Sequence, residues 1–212
     1  MFDKKLVVIG AGGHAKVAID VARAAGWLPV VALDPVGPGR FCADVPVIGS
    51  DSEATSVFAN GVRFALLALG SNRLRLRIGE QLEQIGFVCP PILHPQAVVS
   101  SYAKIDNGTI VMPHATINSH ARIGRFAIVN TGAIIEHDCT VADGAHIAPR
   151  SVLGGTVSIG REVLFGIGSV ARPGSSVGDG ATVGAGSVII EPVDANEMVV
   201  GAPARPIGTA RA

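Results

Sequence analysis

Residues 128–153 read IVNTGAIIEHDCTVADGAHIAPRSVL, with Val129, Ile135, Val141, Ile147 and Leu153 six positions apart. The spacing continues without a slip in both directions, through Val99, Ile105, Val111, Ile117 and Ile123 before it and Ile159, Phe165, Ala171, Val177, Val183 and Ile189 after it. The fourth residue after each is small or β-branched, as at Thr109, Ala115, Ala121, Ala127, Ala133, Cys139, Ala145, Ser151, Ser169, Ser175, Ala181 and Ser187. The residue directly after the apolar one is often Gly, Asn, Asp or Glu. A hexapeptide rule of this kind builds a parallel β-helix. Each unit is a short strand and a corner, and three units return the chain to a point above its start. Successive coils then hydrogen-bond about 4.8 Å apart. The apolar residue points inward, the small one fits beside it, and Gly or Asn tolerates the backbone angles of a corner.

A core of stacked Val, Ile and Leu accounts for the 4% aromatic content and the mean hydropathy of +0.45. No apolar run approaches the roughly 20 residues of a membrane-spanning helix, so no membrane insertion is expected. The 212 residues hold 17 basic and 17 acidic side chains, a balance that argues against nucleic acid as a partner. Met1-Phe2-Asp3-Lys4-Lys5 leads straight into a short apolar strand rather than a secretory signal, so a cytoplasmic protein is expected. Cys42, Cys89 and Cys139 lack the spacing of a zinc site or a disulfide frame, and Cys139 occupies a small-residue core slot.

The first 89 residues follow another rule. Leu6-Val7-Val8-Ile9 reads as a buried strand, Gly10-Ala11-Gly12-Gly13-His14 as a tight turn, and Ala15 to Ala25 as a helix ended by Gly26. Strands at Pro29–Leu33 and Val62–Leu69 and a helix over Arg73–Ile85 follow. Cys89-Pro90-Pro91 excludes helix and central strand alike, which sets domains of 1–89 and 90–212. Gly10, Gly12 and Ala15 form G-x-G-x-x-A between strand and helix, with Asp34 ending the next strand. That pattern holds a phosphate on helix amides and turns a carboxylate toward a ribose or base. The segment has room for one mononucleotide half, so it reads as a half-Rossmann domain for a nucleoside diphosphate in preference to NAD, whose full site needs two halves. A glycine turn that only packs helix on strand is the alternative.

Together, Gly10-Ala11-Gly12-Gly13-His14, Leu33-Asp34, Ala68-Leu69-Gly70-Ser71-Asn72, Leu93-His94-Pro95, Ile134-Ile135-Glu136-His137-Asp138-Cys139 and Val200-Gly201-Ala202-Pro203-Ala204-Arg205 resemble the sialic acid O-acetyltransferase type of sugar acyltransferase. That family includes the N-acetyltransferases of bacillosamine and perosamine pathways, which act on nucleotide-linked 4-amino-4,6-dideoxysugars. The resemblance implies a left-handed β-helix after the α/β domain, a homotrimer with sites between subunits, acetyl-CoA as cosubstrate and no metal. It places the general base on His137 with Asp138 as its carboxylate partner, where the family pattern has Glu. By the same resemblance Gly12, Gly13, His14, Asp34, Gly70, Asn72 and Arg75 hold the nucleotide sugar, with Arg75 on the diphosphate, and Asn130 touches the sugar. His146 serves the thioester region, Gly155, Ile167 and Ala185 line the pantetheine arm, and Arg205 reaches the CoA phosphates.

The residues of the β-helix are compatible with that chemistry in their own right. His137, the third residue of its hexapeptide, points outward between Glu136 and Asp138, and an imidazole beside a carboxylate is held in one tautomer. Acetyl transfer to an amine needs a group to take the amine's proton. Cys139 faces inward, which argues for direct attack without an acyl-enzyme. Three other readings share parts of the pattern. A sugar O-acetyltransferase for free sialic acid differs only in its acceptor. A zinc-dependent β-helix carbonic anhydrase would draw on His114, His120 and His137. A purely structural β-helix would show a regular Thr or Ser array outside, whereas the outer positions mix Asn, His, Arg and Glu.

Overall fold

The computed structural model describes residues 4–210, so Met1-Phe2-Asp3 of the start read above lies outside them. The chain divides into two compact units, residues 1–95 and 96–212.

The first unit runs β1 (Lys5–Ile9), α1 (Gly13–Ala24), β2 (Leu28–Leu33), β3 (Phe41–Cys42), β4 (Val45–Gly49), α2 (Ala54–Ala59), β5 (Phe64–Leu67), α3 (Asn72–Ile85) and β6 (Ile92–Leu93). Its sheet has the order β3-β4-β2-β1-β5. The pairs β1–β2, β1–β5 and β2–β4 are parallel, and only the β3–β4 hairpin is antiparallel. Leu6, Val7 and Val8 are fully buried, as in a central parallel strand covered on both faces. Helix α1 buries Ala15, Ala18, Ile19 and Ala22, the i, i+3, i+4, i+7 stripe of an amphipathic helix. Ser71 caps the start of α3, and Gly86 ends it in the left-handed conformation at φ +111°. The β3–β4 hairpin and α2 were not anticipated, because strands of two and five residues and a helix of six leave no readable period. The division falls after Pro95 instead of at 89/90, because β6, beyond the prolines, packs with α1.

The second unit is a left-handed parallel β-helix with three flat faces. Face one stacks Val98–Val99, Thr116–Ile117, Ile134–Ile135, Val152–Leu153, Val170–Ala171 and Val188–Ile189. Face two stacks Lys104–Ile105, Arg122–Ile123, Thr140–Val141, Ser158–Ile159 and Ser176–Val177. Face three runs from Ile110–Val111 to Thr182–Val183, then takes Glu197–Gly201 and, antiparallel, Ala204–Thr209. From Val98 to Ile189 the pairings between coils join residues eighteen apart, as Thr116 to Ile134 and Ile128 to His146, and the last coil is two residues shorter, with Thr182 paired to Met198. The inward apolar residues from Val111 to Ile189 are all buried, while Val99 and Ile105 of the first coil are half-buried.

The corners are equally regular. Residues 108, 114, 120 and so on to 186 all have left-handed φ between +53° and +76°, one per six residues. Seven are glycine; the others are His114, His120, Phe126, Asp138, Arg150, Thr156 and Glu162. The left-handed residue therefore stands three places after the apolar one, not directly after it as the glycine pattern suggested. Glycine directly after the apolar residue answers a packing need instead. A Cβ on Gly154 would lie 2.8 Å from the backbone nitrogen of Pro173 on the next coil. The small slot is filled by residues that also donate: Thr109 Oγ1 to the Gly124 carbonyl, Ser151 Oγ to Gly166, Ser169 Oγ to Gly184, and Cys139 Sγ to Gly154 at 3.1 Å. Each of these carbonyls thereby gains a partner that apolar residues could not supply.

Ile147→Ala in this column is expected to cost about 2–5 kcal/mol in denaturant unfolding. Thr140→Ala on the exposed outer side of face two should stay within about 0.5 kcal/mol.

Candidate active site

The glycine turn of the first unit is shaped by its neighbours. Gly10 has φ +102°, its amide donates to the Leu33 carbonyl at 2.8 Å, and a Cβ there would stand 2.8 Å from the Ala68 carbonyl oxygen. Asp34 holds the same loop, because its Oδ2 accepts from the Ala11 amide at 2.7 Å and its Oδ1 from the Val36 amide at 2.8 Å. Gly12 then caps α1 with no side-chain hydrogen bond, and Gly12 and Gly13 are exposed with open space above them. These uncapped amides suit an anionic ligand. Gly70 is exposed beside the start of α3.

Two residues sit differently from expectation. Arg75 is fully buried, with Nη1 donating to the Leu69 carbonyl at 2.8 Å and Nη2 to Asn72 Oδ1 at 2.9 Å. The expected contact of Arg75 with a diphosphate is therefore corrected: its guanidinium is enclosed, and it braces the loop between β5 and α3. Asn72 is drawn into the same brace. His14 is half-buried, and burial, reinforced by the nearby Arg75 charge, lowers its pKa below the usual 6.5.

A pocket of about 190 Å³ opens at the C-terminal ends of β1 and β2. Ile9, Leu33, Leu69, Leu74 and Ile78 form its apolar wall, with Asp34, Asp51 and Arg77 also lining it. Asp51 and Arg77 belong to no motif and were missed from sequence. They arrive through the turn after β4 and the second turn of α3.

In the second unit His137 and Asp138 occupy the corner between faces one and two. His137 Nδ1 lies 2.9 Å from Asp138 Oδ2, and both side chains are exposed. A carboxylate only accepts, so this bond puts the imidazole proton on Nδ1 and leaves Nε2 as the basic nitrogen. Asp138 is the left-handed corner residue, at φ +59°, which turns its carboxylate back toward the ring. One coil on, Gly155 lies under the imidazole, and a Cβ there would be 2.6 Å from both Cε1 and Nε2. Gly155 is thus covered by His137 in this structure. Its neighbours fix the seat: the Thr156 amide donates to the His137 carbonyl, Thr156 Oγ1 to the Gly155 carbonyl, and Cys139 Sγ to that of Gly154. Burial also pushes the Cys139 thiol pKa up, which disfavours the nucleophilic thiolate.

Asn130 and His146 form a second pair, with Asn130 Nδ2 2.9 Å from His146 Nε2. Because Asn130 Oδ1 accepts from the Thr131 amide at 2.7 Å, its amide group donates to Nε2, so the His146 proton sits on Nδ1. Ile167 and Ala185 are exposed at equivalent corner positions between faces three and one, and Arg205 is exposed on the final strand. His120 instead bonds Ser119 at 2.7 Å and stacks on Tyr102. Among the described residues no three His, Cys, Asp or Glu side chains converge, so His114, His120 and His137 form no metal trio within one chain.

Comparison with known proteins accords with these two units. The family described as the PglD N-terminal domain matches residues 5–82. Perosamine N-acetyltransferase from Caulobacter crescentus, solved with CoA and GDP-perosamine, is 36% identical, with a TM-score of 0.94 over 96% of this chain and 97% of that one. The acetyltransferase domain of PglB from Neisseria gonorrhoeae, solved with acetyl coenzyme A, is 37% identical with a TM-score of 0.92 over 97% and 100%. WeeI from Acinetobacter baumannii shares the fold at 24% identity and a TM-score of 0.81, over 95% and 99%. The chain belongs to the sugar acyltransferase family of the perosamine and bacillosamine N-acetyltransferases. It is an acetyl-CoA-dependent nucleotide-sugar N-acetyltransferase. No helix among the described residues is long and apolar enough to cross a membrane.

The lowered His14 pKa carries a sign. The unfolded chain binds a proton at His14 before the folded chain does, so this residue's contribution favours folding above pH 6.5 and is lost as pH falls below it. Melting curves at pH 7.5 and 5.5 should show a smaller acid-induced fall in Tm for His14→Gln than for the wild type.

Proposed function

We propose that the chain transfers acetyl from acetyl-CoA to the 4-amino group of a nucleotide-linked 4-amino-4,6-dideoxysugar, with His137 Nε2 as general base. The observation that carries this reading is the His137–Asp138 pair seated on Gly155, which fixes the tautomer and the location of the basic nitrogen together. The sugar amine attacks the acetyl carbonyl, His137 Nε2 accepts the proton the amine sheds, and the C–S bond breaks to expel the CoA thiolate, which takes that proton back from the imidazolium and leaves as the thiol. Asp138 stabilises the imidazolium formed in that step. His146 Nδ1–H is the donor assigned to the carbonyl oxygen as it gains charge, with Asn130 fixing its tautomer. Ile167, Ala185 and Arg205 are assigned to the CoA side. Gly12, Gly13, His14 and Gly70 are assigned to the nucleotide sugar, with Asp34 and Asn72 shaping the loops that hold it. The product would serve a bacterial surface glycan such as lipopolysaccharide, made in the cytoplasm.

The working unit is a homotrimer in this reading, supported by the outer side of face one. Val98, Ile134, Val152, Val170 and Val188 point outward there, with Val98 65% and Val170 39% exposed, whereas face two presents Lys104, Arg122, Thr140, Ser158 and Ser176. The two corners flanking that apolar face carry His137, Asp138 and Gly155 on one side and Asn130, Ile167 and Ala185 on the other. A second copy laid on face one brings complementary halves of the site together, and a closed threefold ring repeats the contact.

Thiol release from acetyl-CoA with UDP- and GDP-linked 4-amino sugars and free sialic acid tests the activity. Turnover on a nucleotide amino sugar is expected, with His137→Ala lowering kcat/KM by about 10²-fold or more. Turnover on sialic acid alone would replace this reading with sugar O-acetylation. Gly155→Ala should lower kcat by about 10²-fold with little change in melting temperature, because the exposed ring swings aside and the backbone needs no left-handed φ. Light scattering should return three times the 21.6 kDa chain mass. Val170→Glu should shift it toward monomer, and a monomeric wild type would end the trimer reading.

A further inference from the structure

The nucleotide-sugar reading above leaves the base of this chain's own substrate open. The pocket beside Gly10 narrows it. In the order β3-β4-β2-β1-β5 the chain moves from β1 outward to β2 and then crosses back to β5 on the other side. The crevice outside the carboxyl ends of such strands, where the direction of winding reverses, is where α/β sheets take ligands. Ile9 closes β1 there, Leu33 closes β2, and α3 supplies Leu74, Arg77 and Ile78. The space of about 190 Å³ has an apolar floor, Ile9 and Leu33 being almost fully buried, which suits the flat face of an aromatic base.

Three charged side chains line this pocket, and they differ in what they have left to offer. Both oxygens of Asp34 already accept backbone amides, from Ala11 and Val36. Asp51 and Arg77 are exposed, and neither side chain makes a hydrogen bond or ion pair among the described residues. A carboxylate only accepts and a guanidinium only donates. The base that satisfies both must present adjacent donors to the first and adjacent acceptors to the second. Guanine does so: N1–H and the exocyclic N2 amine face a carboxylate together, and O6 with N7 is the pair that arginine binds in bidentate fashion. Uracil offers one N–H set between two carbonyls, so the second carboxylate oxygen meets a like partial charge. Adenine puts a ring acceptor beside its amine, with the same result.

From this we infer that the pocket reads guanine through Asp51 and Arg77, and that the acceptor is a GDP-linked amino sugar. The inference rests on the nucleotide-sugar reading above and specifies its base. Isothermal titration of the full chain with GDP and with UDP tests it. GDP is expected to bind roughly 10- to 100-fold more tightly, the range of one to two bidentate base contacts. Asp51→Asn replaces an acceptor with a donor opposite N1–H, and should remove most of that preference while changing UDP affinity less than about twofold. Arg77→Met should weaken GDP in the same direction. Both positions are exposed, and melting curves check that each variant folds. UDP binding as tightly as GDP, or a preference unchanged in both variants, overturns the assignment and leaves the nucleotide-sugar reading standing. Binding of neither nucleotide overturns that reading, and the assignment with it.

Discussion

As far as Ile189, each residue of the β-helix lies over the one eighteen positions before it, and the site depends on that register. It is enforced by hydrogen bonds between coils and by one left-handed residue at each corner from Gly108 to Gly186. A left-handed φ is costly for most side chains, so the corner must be held by its surroundings. Here the inward apolar residue on one side and the small donor on the other do so. The result is a rigid lattice of outward positions on which chemistry is placed by sequence number. His137 meets Gly155 because they are eighteen apart; it meets Asp138 because Asp138 takes the corner conformation.

The same lattice explains what was legible in the sequence. The period of six, the inward column and the small slot follow from residue size, and size is visible in a single chain. The hydroxyl and thiol bonds from that slot to glycine carbonyls were not legible, because Ser and Ala satisfy the same volume rule. Nor was the corner position: glycine falls both at corners and directly after apolar residues, for conformational reasons in one case and for lack of space in the other. The backbone φ and the space above each glycine separate the two.

In the first unit the glycine turn and its helix were readable because the motif is local. Arg75 was misread for the opposite reason. A lone arginine beside a phosphate-type turn looks like a ligand, and nothing in its neighbourhood reveals that it is buried and bonded to Leu69 and Asn72. Asp51 and Arg77 belong to segments far apart in the chain, and only the crossover from β4 through β5 to α3 brings them to one pocket.

The final strand has a consequence for assembly. A parallel solenoid ends on open strand edges, whose unpaired amides and carbonyls form a template for another solenoid. Ala204–Thr209 folds back antiparallel on Glu197–Gly201 and reverses the direction of pairing on face three. A parallel coil from a neighbouring molecule cannot continue there in register. The reversal caps that face at the C-terminal end and opposes the end-to-end growth of fibres that an uninterrupted column would invite.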